Sequence, residues 1–150
     1  MDLALKILGA PCLNKPSIPI TDITDDIIQL SERMKEKMIE WGGIGLAAPQ
    51  VGQNIRLIII RLSSGKIQEM INPRISWTSE DRKHIEEGCL SIPQKIMWIE
   101  RPERVRVKFQ TSEGEFKYWC LNKMDARVFL HEYDHLDGIL MTSYYELLGT

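Results

Sequence analysis

Cysteine is scarce in this chain of 150 residues: Cys12, Cys89 and Cys120 form an odd set with no repeated spacing. That argues against a disulfide framework and for a reducing compartment, in which one thiol can serve as a ligand. Histidine is equally scarce, at His84, His131 and His135. No apolar run approaches the ~18 residues needed to cross a bilayer. The apolar N-terminal stretch is broken by Asp2 and Lys6 and met by Pro11, so it does not read as a secretory signal. Neither sign of charge dominates, with a net charge of -2 and scattered Lys and Arg. This gives no support for a dedicated nucleic-acid surface or a polybasic membrane anchor. Repeats, low-complexity tracts and linker-like breaks are absent as well. With 43% hydrophobic content, residues 1–150 are sized for one domain, expected to be soluble and intracellular.

What is present is periodicity. From Thr24 or Asp25 to about Trp41, the apolar residues Ile27, Leu30, Met34, Met38 and Trp41 recur at helical spacing. This predicts an amphipathic helix capped by Thr24 and stopped at Gly42-Gly43. Ile55 to Leu62 and Ile67 to Ile71 read as strands around the turn Ser63-Ser64-Gly65-Lys66, the second ending before Asn72-Pro73. Val105 to Phe109 alternates apolar with polar, and Phe116 to Leu121 returns after Glu113-Gly114, a hairpin with one wet face. A second helix is expected from Asp125 to about Leu136, with Gly138 just beyond. The fold class expected is α+β: mainly antiparallel strands packed around one functional helix, plus the N-terminal amphipathic helix.

That second helix carries the string His131-Glu132-Tyr133-Asp134-His135. Positions i and i+4 share a helix face about one turn apart, so both imidazoles can hold one metal ion while Glu132 stays near its open position. The pattern points to a metal hydrolase whose third ligand lies elsewhere. A metzincin-like continuation fails, because Met141 stands where a third His is needed. A downstream carboxylate has only Glu146 to offer, with little room to bring it back. Upstream, Glu87-Gly88-Cys89-Leu90-Ser91 offers Cys89, whose thiolate suits Zn(II) or Fe(II) and whose neighbour Gly88 permits close backbone approach. A lone cysteine is nonetheless more often a small buried hydrophobe.

A third stretch, Gly43-Ile44-Gly45-Leu46-Ala47-Ala48-Pro49-Gln50, mimics a dinucleotide-binding fingerprint. It follows a helix and leads into a strand, the reverse of what that fingerprint requires. It reads instead as a small-residue turn where another backbone or an extended peptide passes close, with Gln50 supplying an amide donor.

Taken in this order, the three segments resemble the peptide deformylases, whose motifs are Gly-x-Gly-x-Ala-Ala-x-Gln, Glu-Gly-Cys-Leu-Ser and Gln-His-Glu-x-x-Asp-His. The resemblance spans about Ile18 to Met141 and includes Ile71-Asn72-Pro73. It implies a metal-dependent hydrolase that removes the N-formyl group from the initiator methionine of nascent polypeptides and releases formate. By the same resemblance, Cys89, His131 and His135 are the metal ligands, with water or hydroxide as the fourth, and Glu132 is the general base. Gln50, through its amide, and Leu90, through its backbone N–H, would meet the oxyanion. Main chain around Ile44, Gly45 and Gly88 would pair with the substrate like an added strand. Gly43, Ile44, Val128 and His131 would border the methionine pocket. The implied cofactor is one divalent ion, Fe(II) first, with Zn(II), Ni(II) and Co(II) tolerated. The implied partner is an N-formylmethionyl peptide on the nascent chain at the ribosome. The implied place is the cytoplasm of a bacterium or infected bacterial host, with an organelle left open.

The chain departs from the family pattern in three places. Leu130 replaces the Gln that precedes the first metal histidine, so a side-chain amide near the site is expected to be missing. The sequence stops at Thr150, short of the longer C-terminal helix of many bacterial members and like some virus-encoded copies, so ribosome docking through a tail helix is not expected. Ile96 falls near where many members carry an Arg, so selectivity beyond methionine is expected to differ. A small HExxH zinc endopeptidase and a catalytically silent peptide-end binder are the alternatives; the first lacks a downstream ligand, and the second would be expected to have lost Glu132 or a ligand. Arg127 and Asp134, seven apart, are placed to face each other across two helical turns or to form a solvated pair. His84 reads as a solvated loop residue, Cys12 and Cys120 as ordinary buried or half-buried thiols, and Met97 and Trp98 as packing residues more than cleft lining.

Overall fold

The computed structural model describes residues 2–147, the side chains after Tyr144 excepted. Helix α1 spans Asp25–Glu40; Thr24 accepts from the Ile27 N–H, and Asp25 and Asp26 sit at the positive end of the dipole. Its periodic apolar face buries Met34 and Met38. There follow β1 (Gly45–Ala47), a 3-10 turn (Ala48–Val51), β2 (Leu57–Arg61) and β3 (Ile67–Thr78). Strands β4 (Arg82–Cys89), β5 (Ile92–Pro102), β6 (Arg104–Gln110) and β7 (Phe116–Asn122) lead into helices α2 (Lys123–Leu136) and α3 (Met141–Leu147).

Five strands form one antiparallel sheet in the order β1-β2-β3-β6-β7, while β4 and β5 pair as a separate antiparallel hairpin. Alternation along each strand gives the sheet two faces. One carries Ile58, Ile60, Met70, Val107 and Phe109 against Ala126, Phe129 and Leu130 of α2. The other carries Leu57, Ile59 and Ile71 against Met34 and Met38 of α1. The histidine-bearing helix is held at both ends. Near its start, Asp125 accepts hydrogen bonds from the Ser63 N–H and hydroxyl, each 2.8 Å. Past its end, Gly138 has φ +73, and a Cβ there would meet the Asn14 carbonyl group at 2.8 Å. Glycine alone satisfies both the turn and the close approach.

Several expectations differ from what is observed. Strand β3 does not stop before Asn72-Pro73. Asn72 adopts φ 50, the register shifts between Ile71 and Arg74, and pairing resumes to Thr78. This bulge absorbs the proline that would otherwise break the ladder, and the Asn72 amide is held at 2.8 Å by both the N–H and the carbonyl of Ile20. The stretch from Arg82 to Cys89, read in part as a solvated loop, is strand β4, with His84 exposed opposite Glu100. Its outward residues are mostly charged and its inward ones few, so period-two alternation is missing from the sequence. Cys12 is half-buried as expected, but Cys120 is exposed on the outer face of β7. Met97 is buried with Leu13, Ile99 and Leu140, whereas Trp98 is exposed.

Candidate active site

The middle of α2 faces a cleft of about 670 Å³ bounded by β1, the chain around Gln50 and the β4-β5 hairpin. Gly43, Ile44, Gly45, Gln50, Gly88, Cys89, Leu90, Ile96, His131 and Glu132 all line it. His135 lies beneath, 1% exposed. Val128 lines an adjoining cavity of about 150 Å³ together with Ile44, Gly88, Met124, His131 and Glu132. Of the four residues expected around a methionine pocket, Ile44, Val128 and His131 therefore share this small cavity. Gly43 borders only the larger cleft.

His131 and His135 sit one turn apart on α2, and Cys89 ends β4. One ligand atom from each lies within 4.8 Å of the other two. Cys89 Sγ is 3.5 Å from His135 Nε2, and His131 Nδ1 is 2.8 Å from Glu87 Oε1, which leaves His131 Nε2 to face the centre. A thiol and two imidazoles with space for a fourth ligand suit one divalent cation such as Fe(II) or Zn(II). His135 Nδ1 and Glu132 Oε1 are buried without a hydrogen-bond partner among the described residues. These residues fit a metal ion.

The electrostatics agree with that fit. Burial pushes the His131 pKa down, but hydrogen bonds with Cys89 and Glu87 outweigh it and raise the ring to about 10. Burial and the charge on His131 hold His135 well below its ordinary value, so this imidazole stays neutral and able to donate a lone pair. Glu87 and Cys89 thus favour positive charge at the His131 ring, and a cation bound there would displace its proton, since a ligand imidazole is neutral. Burial pushes the Glu132 carboxyl up to about 7, the range in which a carboxyl both accepts and returns a proton near neutral pH.

Gln50 is aimed by its own backbone surroundings. Its Oε1 accepts from the Ala47 N–H at 2.9 Å, which turns the amide Nε2 toward Cys89 Sγ at 3.8 Å and Ser91 Oγ at 3.1 Å. The glycines divide into two kinds. A Cβ on Gly45 would strike the Glu132 carboxyl group, its Cδ at 2.9 Å, and one on Gly43 would meet Leu90 Cδ1 at 2.6 Å. At Gly88 the nearest atom would be Lys95 O at 4.0 Å. Close packing within the protein therefore accounts for the missing side chains of Gly43 and Gly45, while a side chain at Gly88 would meet little.

Sequence reasoning missed the centre of the buried ion network. Arg127 does not face Asp134. Its Nη1 donates to Glu87 Oε2 at 2.6 Å and to the Ile99 carbonyl at 3.0 Å. Asp134 accepts from Arg101 Nη1 at 2.9 Å and from the Tyr144 hydroxyl of α3. Arg101 also donates Nη2 to Glu87 Oε1 at 3.0 Å. Glu87, 7% exposed, thus holds two guanidinium groups and the Nδ1 side of the His131 ring. Burial acts to raise its pKa, yet His131 and Arg101 outweigh that and lower it to about 2. Glu87 stands two residues before Cys89 in the motif, and that proximity was the available signal. Leu130, expected to leave an amide missing at the site, points into the apolar cluster with Ile58, Met70 and Phe129. Glu146 lies outside the residues whose side chains are described.

Comparison with known proteins places this geometry in a family. Residues 3–148 match the model for polypeptide deformylase. A peptide deformylase from Thermotoga petrophila is 39% identical over 137 residues, 91% of this chain and 83% of that protein. The crystal structure of the Thermotoga maritima peptide deformylase superposes with a TM-score of 0.92 at 37% identity, covering 95% of this chain and 97% of the other. The Synechococcus elongatus peptide deformylase, solved in complex with actinonin, gives a TM-score of 0.88 at 39% identity, over 92% of this chain and 77% of the other.

Proposed function

The chain belongs to the peptide deformylase family, enzymes that hydrolyse the N-formyl group of nascent polypeptides, and from that premise we propose the part each residue plays. One catalytic domain spans residues 1–150. Cys89, His131 and His135 would hold a divalent cation, Fe(II) by preference, with Zn(II), Ni(II) and Co(II) fitting the same donors. When bound, such an ion supplies Lewis acidity, lowering the pKa of water from ~15.7 toward ~7. Glu132 takes a proton from the attacking water and delivers it to the amine as the C–N bond breaks, so formate and a free N-terminus leave. Gln50 Nε2 and the Leu90 N–H donate to the formyl oxygen as it gains charge. Among the described residues, both β1 and β4 have an edge not paired with another strand. Backbone groups of Ile44 and Gly45 on one side and Gly88 on the other pair with the extended peptide. The cavity beside Val128, Ile44 and His131, with Gly43 next to it, receives the methionine side chain. Its substrate is the nascent chain at the ribosome, in the cytoplasm of a bacterium or of an infected bacterial host.

The observation that carries this reading is the convergence of three ligand atoms within 4.8 Å beside a buried, unpartnered Glu132 carboxylate oxygen. The test is formate release from formyl-Met-Ala-Ser by iron- or nickel-loaded protein, repeated with Glu132→Gln. The parent releases formate, and the variant keeps its metal but loses ~10²- to ~10⁴-fold in rate. A metal-replete parent that releases none, or a variant that matches it, refutes the mechanism. Cys89→Ala retaining a full equivalent of metal removes Cys89 from the ligand set.

A further inference from the structure

Among the described residues, α1 covers the sheet's second face over β1, β2 and the start of β3. Residues opposite one another in register share a face. Leu57 pairs with Ile71, Ile71 with Gln110 and Gln110 with Phe116, so the face on which α1 packs continues across β6 and β7. There it is exposed, aromatic and basic. Phe116 is 57% exposed, Tyr118 71% and Trp77 38%. Arg106 lies 5.0 Å from the Trp77 ring, and Lys108 lies 4.8 Å from Phe116 and 5.6 Å from Tyr118.

Two features point to a polyanion. Arg74, Arg106 and Lys108 form no ion pair among the described residues, although their neighbour Arg104 pairs with Asp81 and Lys117 pairs with Glu115. Arg74 and Lys108 are also direct register partners, a like-charge juxtaposition that destabilises a sheet by itself. A phosphate between them removes that repulsion. Flat aromatic rings interleaved with cations on a sheet are what unpaired bases stack on, whereas a lipid surface calls for a contiguous apolar wedge.

We infer that this uncovered sheet face, built on Trp77, Arg106, Lys108 and Tyr118, binds single-stranded RNA. The choice of RNA over DNA rests on the deformylase reading, since nascent chains emerge from an RNA-rich particle. The geometry leaves catalysis free: β7 and β1 are the two ends of the sheet, four strand spacings of about 4.8 Å or roughly 19 Å apart. The nearest strand of the surface, β3 with Arg74 and Trp77, lies two spacings or roughly 10 Å from β1, but the face is the one opposite α2, so RNA there leaves the cleft beside α2 open to the peptide.

The experiment titrates metal-loaded protein into a fluorescein-labelled single-stranded RNA of about 12 nucleotides, reading anisotropy across a salt series. Binding is expected with a log K against log salt slope of about -2, from three cations at ~0.7 each, and Lys108→Gln reduces the slope by about 0.7. Tyr118→Ser weakens binding about tenfold with the slope kept, and a duplex of the same sequence binds more weakly. Formate release from formyl-Met-Ala-Ser stays at the parent rate in every variant. Absence of RNA binding at low salt overturns the inference, as does binding that survives Arg74→Gln/Arg106→Gln/Lys108→Gln. So does a face whose substitutions abolish binding to phosphatidylglycerol vesicles but not to RNA. A parent that binds RNA yet releases no formate counts against the catalytic reading and leaves the surface standing.

Discussion

Gly45→Ala tests whether the position of Glu132 governs the chemistry. A Cβ at residue 45 would lie 2.8 Å from Glu132 Cγ and 2.9 Å from its Cδ, with the carboxylate oxygen closer still. Carbon atoms settle at about 3.5–4.0 Å, so one partner must yield by roughly 1 Å. Strand β1 is anchored by pairing of Gly45 with Ile60 and Ala47 with Ile58, so the Glu132 side chain moves. Overpacking costs about 1–3 kcal/mol, partly offset by about 0.4–1 kcal/mol from the lower chain entropy of alanine in the unfolded state. The fold therefore survives with a melting temperature lowered by a few degrees. Activity suffers far more, because a displacement of about 1 Å in a catalytic constellation costs ~10² in rate. The expected outcome is kcat reduced about 100-fold, with one equivalent of metal retained, since the ligands on α2 and β4 are untouched. The assay couples formate release to formate dehydrogenase, with metal content measured on the same sample. A kcat within about threefold of the parent would mean that Glu132 does not need its present position, and the reasoning fails.

Glu87→Gln should weaken metal retention by about 10- to 100-fold, read by chelator competition, because the carboxylate behind His131 is lost. The same substitution leaves Arg101 and Arg127 buried without their anion and should cost about 3–5 kcal/mol in urea denaturation; unchanged metal affinity would show that His131 needs no such support. A third prediction concerns acid stability away from the site. Burial acts to raise the Glu69 pKa, but Lys35 and the Ser112 donors outweigh it and lower it from 4.5 to about 2. A depressed carboxyl stabilises the fold fully above its unfolded pKa and ceases to do so as pH falls through its folded one. The melting-temperature difference between parent and Glu69→Gln should therefore be present near neutral pH, shrink below pH 4.5 and vanish near pH 2. In free energy the difference should be about 1 kcal/mol, since the Lys35 end of the pair is reached by solvent. A difference that grows on acidification would reverse the sign and refute it.

Local pattern and long-range register contributed differently to this reading. Helices α1 and α2 and strands β2, β6 and β7 were legible because each has a periodic apolar face against one side of the sheet. The hairpin of β4 and β5 was not, since its outward residues are mostly charged and it pairs chiefly with itself. The continuation of β3 past Pro73 was hidden because a bulge with a positive φ at Asn72 has no periodic signature. The two histidines and Glu132 were legible as a metal-hydrolase string from their spacing on one helix, whereas Cys89, on β4, was singled out by its motif and by the family resemblance.

By itself, the sequence determined that two imidazoles and a carboxylate share a helix face, that one thiol follows a glycine in a conspicuous motif, and that no disulfide framework is available. Tertiary structure decided the rest. It brought Cys89 to 3.5 Å from His135 across 46 residues of chain, placed Glu87 between two arginines and His131, and set Gly45 against Glu132. It also gathered cations that look scattered along the chain onto one uncovered sheet face. The physical reason is common to all of these. Hydrophobic period specifies which way a residue faces within its own element, whereas the partner it meets depends on strand register and on which elements cover the sheet.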